Sequence, residues 1–304
     1  MQGGGILSTQ YIVMIVTAVV VGTLARALTI KEDFRQYPSY PNGYLIHLLT
    51  GFVAAALGAV AIPALMTKNF VAVTFLALAI QQFRDVRKME RDSLQDLENT
   101  EYTPRGDAYI DGIAKTFEAR NYFALIVSFA AALTIQVVNS KYIWLNVVGG
   151  LIVGLVVLWI LKRFSKGKTV GDIADVRPGK VEVKGSELYV DGVYVTNTLG
   201  TENARKLFDK EGLAAVIYPR EANFRIALDN FGQRQAIIFE ATRALGLKRY
   251  HFTRKDYEQG RIIISLVPIT GNVGNLIQSV KNTPLLESIK KSHAVLKTNL
   301  VGRE

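Results

Sequence analysis

The sequence predicts an α-helical polytopic membrane domain of about five spans, followed by a C-terminal soluble α/β domain with a mixed sheet. Three observations predict it. Apolar residues make up 49% of the 304 positions, high for a soluble chain. The long apolar runs are confined to the first 168 residues. Beyond them, short alternating runs, turn dipeptides and amphipathic stretches take over, the pattern of packed strands and helices. The expected division is a transmembrane helical domain over 1–168, containing a cytosolic loop over 81–121, and a cytosolic α/β domain over 169–304.

Residues 6–25 form the first apolar run, long enough for a bilayer that takes ~20 helical residues to cross. It lacks the basic start and small-residue cleavage site of a signal peptide. Arg26 stands at its end, where a long side chain can snorkel to the headgroups. A polar connector with Pro38 and Pro41 follows. Residues 44–66 are the second run, with Gly51, Ala54, Ala55 and Gly58 spaced for close helix packing. His47 lies one turn inside it and reads as a hydrogen-bonded structural residue. Residues 70–80 are a short third run, a span or one arm of a re-entrant hairpin. The charged stretch 84–98 carries a partial apolar stripe and reads as a surface-lying or partner-binding helix. Residues 122–138 and 142–161 are the fourth and fifth runs, joined by a tight turn, and Gly150 and Gly154 form a GxxxG in the fifth.

Positive charge sets the orientation. Arg26, Lys31 and Arg35 gather after the first run; Arg84, Arg87, Lys88, Arg91, Arg105, Lys115 and Arg120 gather between the third and fourth; Lys162, Arg163, Lys166 and Lys168 follow the fifth. The remaining connections carry only Lys68 and Lys141. Five spans with the N-terminus outside satisfy every connection and put the C-terminal domain in the cytosol.

The net charge is +10, and from residue 162 onward 24 Lys and Arg stand against 15 Asp and Glu. With a membrane anchor upstream, anionic lipid is the expected counterpart, and no nucleic-acid motif is present. The expected partners are the lipid bilayer and a second copy or a protein, met through GxxxG-type helix contacts and the C-terminal domain. There is no cysteine, and His47, His251 and His293 are far apart, so no metal site and no cofactor is expected.

In the C-terminal part, residues 180–197 read as short strands with turns at Gly185–Ser186 and Asp191–Gly192. Residues 201–211, 230–245, 273–280 and 285–296 read as helices, and 213–218 and 261–269 as strands. The stretch 268–275, PITGNVGN, follows a strand and opens a helix, an ordinary capped turn or a weak anion site.

One polar stretch carries a recognisable motif, AYIDGIA at residues 108–114. Thr103–Pro104 reads as an N-cap and first helical position. Ile110, Ile113, Ala114 and Phe117 then share one apolar face, with Asp107, Asp111, Lys115 and Glu118 on the other. Gly112 leaves room beside Asp111 for another chain to approach. The motif resembles the signature of the YIEGIA family, membrane proteins of spore-forming Firmicutes named after that hexapeptide. Five of its six positions match, and Asp111 stands where the family has glutamate. The resemblance implies several spans, a soluble C-terminal domain and a sporulation-associated role.

Three functions follow as expectations. The first is a structural or regulatory membrane component of spore formation. The second is a membrane-embedded aspartic-type protease acting on cytosolic or membrane substrates. Asp107 and Asp111 are its best pair and Asp191 an outside candidate, because the chemistry needs one protonated and one ionised carboxyl at a shared water. No Asp-Thr-Gly, Asp-Ser-Gly or Gly-x-Gly-Asp sequence accompanies them. The third is a transporter or ligand-sensing membrane protein, for which the intramembrane polar residues are few.

Overall fold

The computed structural model describes residues 9–33, 41–81 and 83–287. Within them the chain divides into two compact units. One takes the chain up to Ser93 and then Ile113–Lys166; the other takes Leu94–Gly112 and the chain from Gly167 onward.

The first unit is helical. Helix α1, Thr9–Asp33, carries the first run, and α2, Pro41–Met66, carries the second. Pro63 lies inside α2, and Thr67 closes that end by donating its hydroxyl to the Pro63 carbonyl at 2.8 Å. The third run forms α3, Phe70–Gln81. Its 12 residues rise ~18 Å, short of a ~30 Å apolar layer. Then come α4, Phe83–Glu98, α5, Asp107–Val138, and α6, Ile143–Ser165. Among the described residues α1, α2, α5 and α6 are long and apolar enough to cross a membrane. Two helices are divided between the units: α4 at Ser93–Leu94 and α5 at Gly112–Ile113.

Small residues set the packing of α1, α2, α5 and α6. A Cβ on Gly58 of α2 would lie 2.2 Å from the Leu125 carbonyl oxygen of α5. Ser128 of α5 donates its hydroxyl to the Ala55 carbonyl of α2 at 2.6 Å. Gly150 and Gly154 abut Ile135 and Val21, so the GxxxG contact is made within the chain. Met14, Ala18, Val21, Ala131 and Leu158 belong to the core so formed. Large apolar side chains such as Val16, Leu24, Phe75 and Trp159 face outward, the arrangement expected where lipid replaces water.

The second unit holds an α/β fold. A single turn, α7 (Val170–Ile173), is held by a capping box between Thr169 and Asp172. Strand β1, Ala174–Gly179, follows, then β2, Val181–Lys184, β3, Glu187–Val190, and β4, Val193–Thr196, with turns where the sequence places them. Helix α8, Glu202–Glu211, is capped by Thr201 and leads to β5, Leu213–Pro219. Then come α9, Phe224–Asp229, and α10, Phe231–Leu245, whose N-cap Asn230 accepts the Gln233 N–H and which ends at Gly246. Strands β6, Leu247–Lys255, and β7, Ile262–Pro268, precede α11, Val273–Asn282.

The strands form two sheets, β1-β5-β7-β6 and β2-β3-β4, with every pairing antiparallel. The apolar run of β7 is buried at all seven positions, as a central strand requires. Both edge strands of the larger sheet went unread in the sequence. β6 carries LKRYHFTRK and β1 carries ADVRPG, compositions that edges tolerate and that weaken a strand signal. Most of the helix expected over 285–296 lies outside the described residues.

Candidate functional site

The signature opens α5, but the helix does not begin at Thr103–Pro104. Gly106 has φ +86°, which turns the chain out of helix, so α5 starts at Asp107 and the Gly106 carbonyl accepts the N–H groups of Tyr109 and Ile110. Only glycine reaches that conformation cheaply. The Gly106 N–H donates to Glu98 Oε1 at 2.6 Å, tying the start of α5 to the end of α4.

Three side chains fix this segment within the C-terminal unit. Arg105 is 3% exposed, and its guanidinium carbon lies 4.6 Å from the centre of the Phe239 ring of α10. Its Nη2 donates to Glu101 Oε1 at 3.0 Å, and its Nη1 lies 3.7 Å from Glu98 Oε2. Tyr109 is also 3% exposed and donates its hydroxyl to Glu240 Oε1 of α10 at 2.5 Å. Glu240 is itself buried, and its second oxygen accepts from Arg243 at 2.5 Å. Tyr102 donates its hydroxyl to the Arg249 carbonyl of β6 at 2.8 Å. A buried tyrosine keeps its hydroxyl paired, and a buried carboxylate needs donors on both oxygens, so the two groups require each other.

The expected apolar face is present: Ile110, Ile113, Ala114 and Phe117 are all buried. Tyr109, Arg105 and Glu240 were missed. Tyr109 stands one position off the stripe, and Glu240 is 131 residues away in sequence. The signal available was chemical: an aromatic hydroxyl and a guanidinium flanking an apolar face both call for buried partners.

The acids lie as follows. Asp107 is exposed at the first position of α5 and accepts from Gln95 Nε2 at 3.0 Å. Asp111 is half-buried one turn later. Asp191 stands far along the chain, in the β3–β4 turn, with φ +48°. Its carboxylate accepts the Lys180 N–H at 2.8 Å and its own N–H donates to the Lys180 carbonyl at 3.0 Å. That is the work of a turn residue. Asp191→Asn, which keeps an acceptor and the left-handed preference, is expected to change stability by no more than ~0.5 kcal/mol in a thermal melt. Among the described residues no group of three or more His, Asp or Glu side chains is placed to hold a metal.

The membrane unit has a polar cluster of its own. Arg26 does not snorkel: it is fully buried, and its Nε donates to Asn121 Oδ1 of α5 at 3.1 Å while its Nη1 lies 3.4 Å from Thr29 Oγ1. Its guanidinium lies 5.1 Å from the Phe117 ring centre, and the His47 ring meets the same Phe117 edge-on at 4.6 Å. A Cβ on Gly51 would fall 2.2 Å from Arg26 Cγ, so Gly51 leaves the room the arginine stem occupies. An arginine inside an apolar bundle is costly unless partnered, and here a carbonyl-type acceptor and an aromatic face supply the partners.

The family model described as YIEGIA protein matches residues 14–295. A Bacillus subtilis (strain 168) protein, "Uncharacterized protein YphB", is 36% identical over 287 residues, covering 92% of this chain and 94% of its own length. No solved structure matches. With apolar helices of spanning length before an α/β domain, and the signature built into the fold as described, this chain belongs to the YIEGIA family.

Proposed function

We propose that this protein is a structural or regulatory membrane component of spore formation whose signature segment fastens its cytosolic α/β domain. The Tyr109–Glu240 hydrogen bond carries this reading. It commits the signature's tyrosine to the protein's own α10, with Arg105 stacked one residue away on Phe239. The family's spore-forming background supports the sporulation role. The charge distribution supports an N-terminus outside and a C-terminal domain in the cytosol: the basic residues of 84–120 and 162–168 fall on the same side as Arg26, Lys31 and Arg35 only if 70–81 crosses as well. A second copy or a protein partner would use outward faces, since Gly150 and Gly154 are already packed against α5 and α1.

The test is Tyr109→Phe in the native organism. Removing one hydroxyl leaves Glu240 with an unmatched oxygen and costs ~1–3 kcal/mol of docking. Spore yield is expected to fall while the protein still reaches the membrane. Normal sporulation with Tyr109→Phe, together with a deletion-like defect in Asp111→Asn, would instead favour acid chemistry.

One observation favours that second reading, an aspartic-type protease using Asp107 and Asp111. A Cβ added at Gly112 would meet no atom of the described residues within 4 Å, so a substrate chain has space to approach beside Asp111. In this reading one carboxyl is protonated and the other ionised around an attacking water.

A further inference from the structure

Strand β5 lies between β1 and β7 in the larger sheet, and three side chains meet on one face of that triple. Tyr218 of β5 pairs in register with Asp175 of β1. Two residues further along β1, Arg177 points to the same face, and its guanidinium carbon lies 5.4 Å from the centre of the Tyr218 ring. Arg261 enters from the β7 side, just before that strand begins. Its guanidinium carbon lies 5.9 Å from the same ring centre, and its Nη1 donates to the Tyr218 hydroxyl at 3.3 Å. One half-buried tyrosine thus has a guanidinium from each side.

Two cations at one ring repel each other, and the neighbouring carboxylates offset only one of them. Asp256 accepts from Arg261 Nε at 2.7 Å, in a pair that is largely buried. Asp175 is taken by Arg220, whose Nε donates to it at 3.0 Å. Arg177 is exposed, and its guanidinium makes no hydrogen bond or ion pair among the described residues. Arg261 has Nε and Nη1 committed, which leaves Nη2 for a ligand.

A guanidinium laid against an aromatic ring presents its N–H edge outward, and that fork of donors matches an oxyanion. The spacing selects which oxyanion. Hydrogen bonds of ~2.8 Å put a guanidinium carbon ~4 Å from the phosphorus it holds. Two guanidiniums, reaching the ring from strands on either side of it, therefore suit two adjoining phosphoryl groups better than one.

We propose that Arg177, Tyr218 and Arg261 bind a diphosphate group, one phosphoryl to each guanidinium with the Tyr218 hydroxyl between them. The site uses none of the residues that dock the signature, so its test is separate from that of the docking. It makes the α/β domain responsive to inorganic pyrophosphate or to a diphosphate ester.

The full-length protein in phosphatidylcholine nanodiscs is titrated with pyrophosphate, phosphate, ADP or geranyl diphosphate, at matched ionic strength and without divalent cations. Hydrogen exchange over 174–179 and 213–220 reads occupancy. Pyrophosphate is expected to slow exchange there and to bind ~10-fold or more tightly than phosphate, the gain from one further charged contact. Arg177→Gln is expected to weaken pyrophosphate binding ~10–100-fold. Arg177→Lys is expected to recover only part of it, because an ammonium lacks the fork. Tyr218→Phe keeps both cations and is expected to cost less than Arg177→Gln. Arg249→Gln is the control: it too removes an exposed arginine lying on a tyrosine, Tyr250, and is expected to leave binding unchanged. Exchange of β5 and β7 without ligand checks that each variant keeps its sheet. Tighter binding of ADP or of geranyl diphosphate than of pyrophosphate supports the site and tells a soluble ester from a lipid-linked one. Equal affinity for phosphate and pyrophosphate, equal losses in Arg177→Gln and Arg249→Gln, or no slowing with any of the four overturns the proposal.

Discussion

Gly58→Ala is expected to destabilise the membrane unit by ~3 kcal/mol or more, although it adds only a methyl group. That methyl would sit 2.2 Å from the Leu125 carbonyl oxygen. The obstacle is α5 backbone, so no side-chain rotation relieves the clash and α2 and α5 must separate. Separation loses the Ser128 hydrogen bond to the Ala55 carbonyl and loosens the close packing around it. Thermal denaturation in nanodiscs measures the loss. The contrasting substitution is Gly112→Ala, on the signature. There a methyl meets no atom of the described residues within 4 Å, and alanine favours helix over glycine by ~1 kcal/mol. Gly112→Ala is expected to raise the melting temperature. A variant that is more stable yet fails in sporulation would mean that something outside the chain uses the space beside Asp111.

Arg105→Ala is expected to release residues 94–112 from the C-terminal unit at a cost of ~3 kcal/mol. It removes a buried guanidinium from the Phe239 ring and leaves Glu98 and Glu101 without their cation. Glu98 would keep the Gly106 N–H but lose the charge that balances its burial. Arg105→Lys is expected to recover little, because an ammonium neither stacks on the ring as a plane nor reaches two carboxylates together. Differential proteolysis of residues 99–106 in the two variants and the wild type measures the release.

The membrane helices were legible because hydropathy alone specifies them, and 44–66 agrees with the apolar part of α2. The helices that open beside Thr201 and Asn230 and the Asp191–Gly192 turn were legible because each is local chemistry, although the two residues prove to be N-caps rather than helical positions. The edge strands were not, since β6 gains its strand character from pairing with β7 and its own residues are mostly charged or polar. At the signature, the buried stripe was readable from spacing, and the start of α5 was not. Thr103–Pro104 is a good helix opening locally, but Gly106 with its bond to Glu98 decides otherwise. Arg26 illustrates the same limit. Its position near a span end predicts snorkelling, and only the arrival of Asn121 and Phe117 from another helix makes full burial tolerable.

Hydrogen exchange over residues 94–112 in the full-length protein in nanodiscs tests the docking of the signature most directly. The backbone around Tyr109 and Ile110 is expected to be protected to the level of α10, and Tyr109→Phe is expected to weaken protection of both stretches together. Rapid exchange over 94–112 beside a well-protected α10, unchanged by Tyr109→Phe, would contradict it.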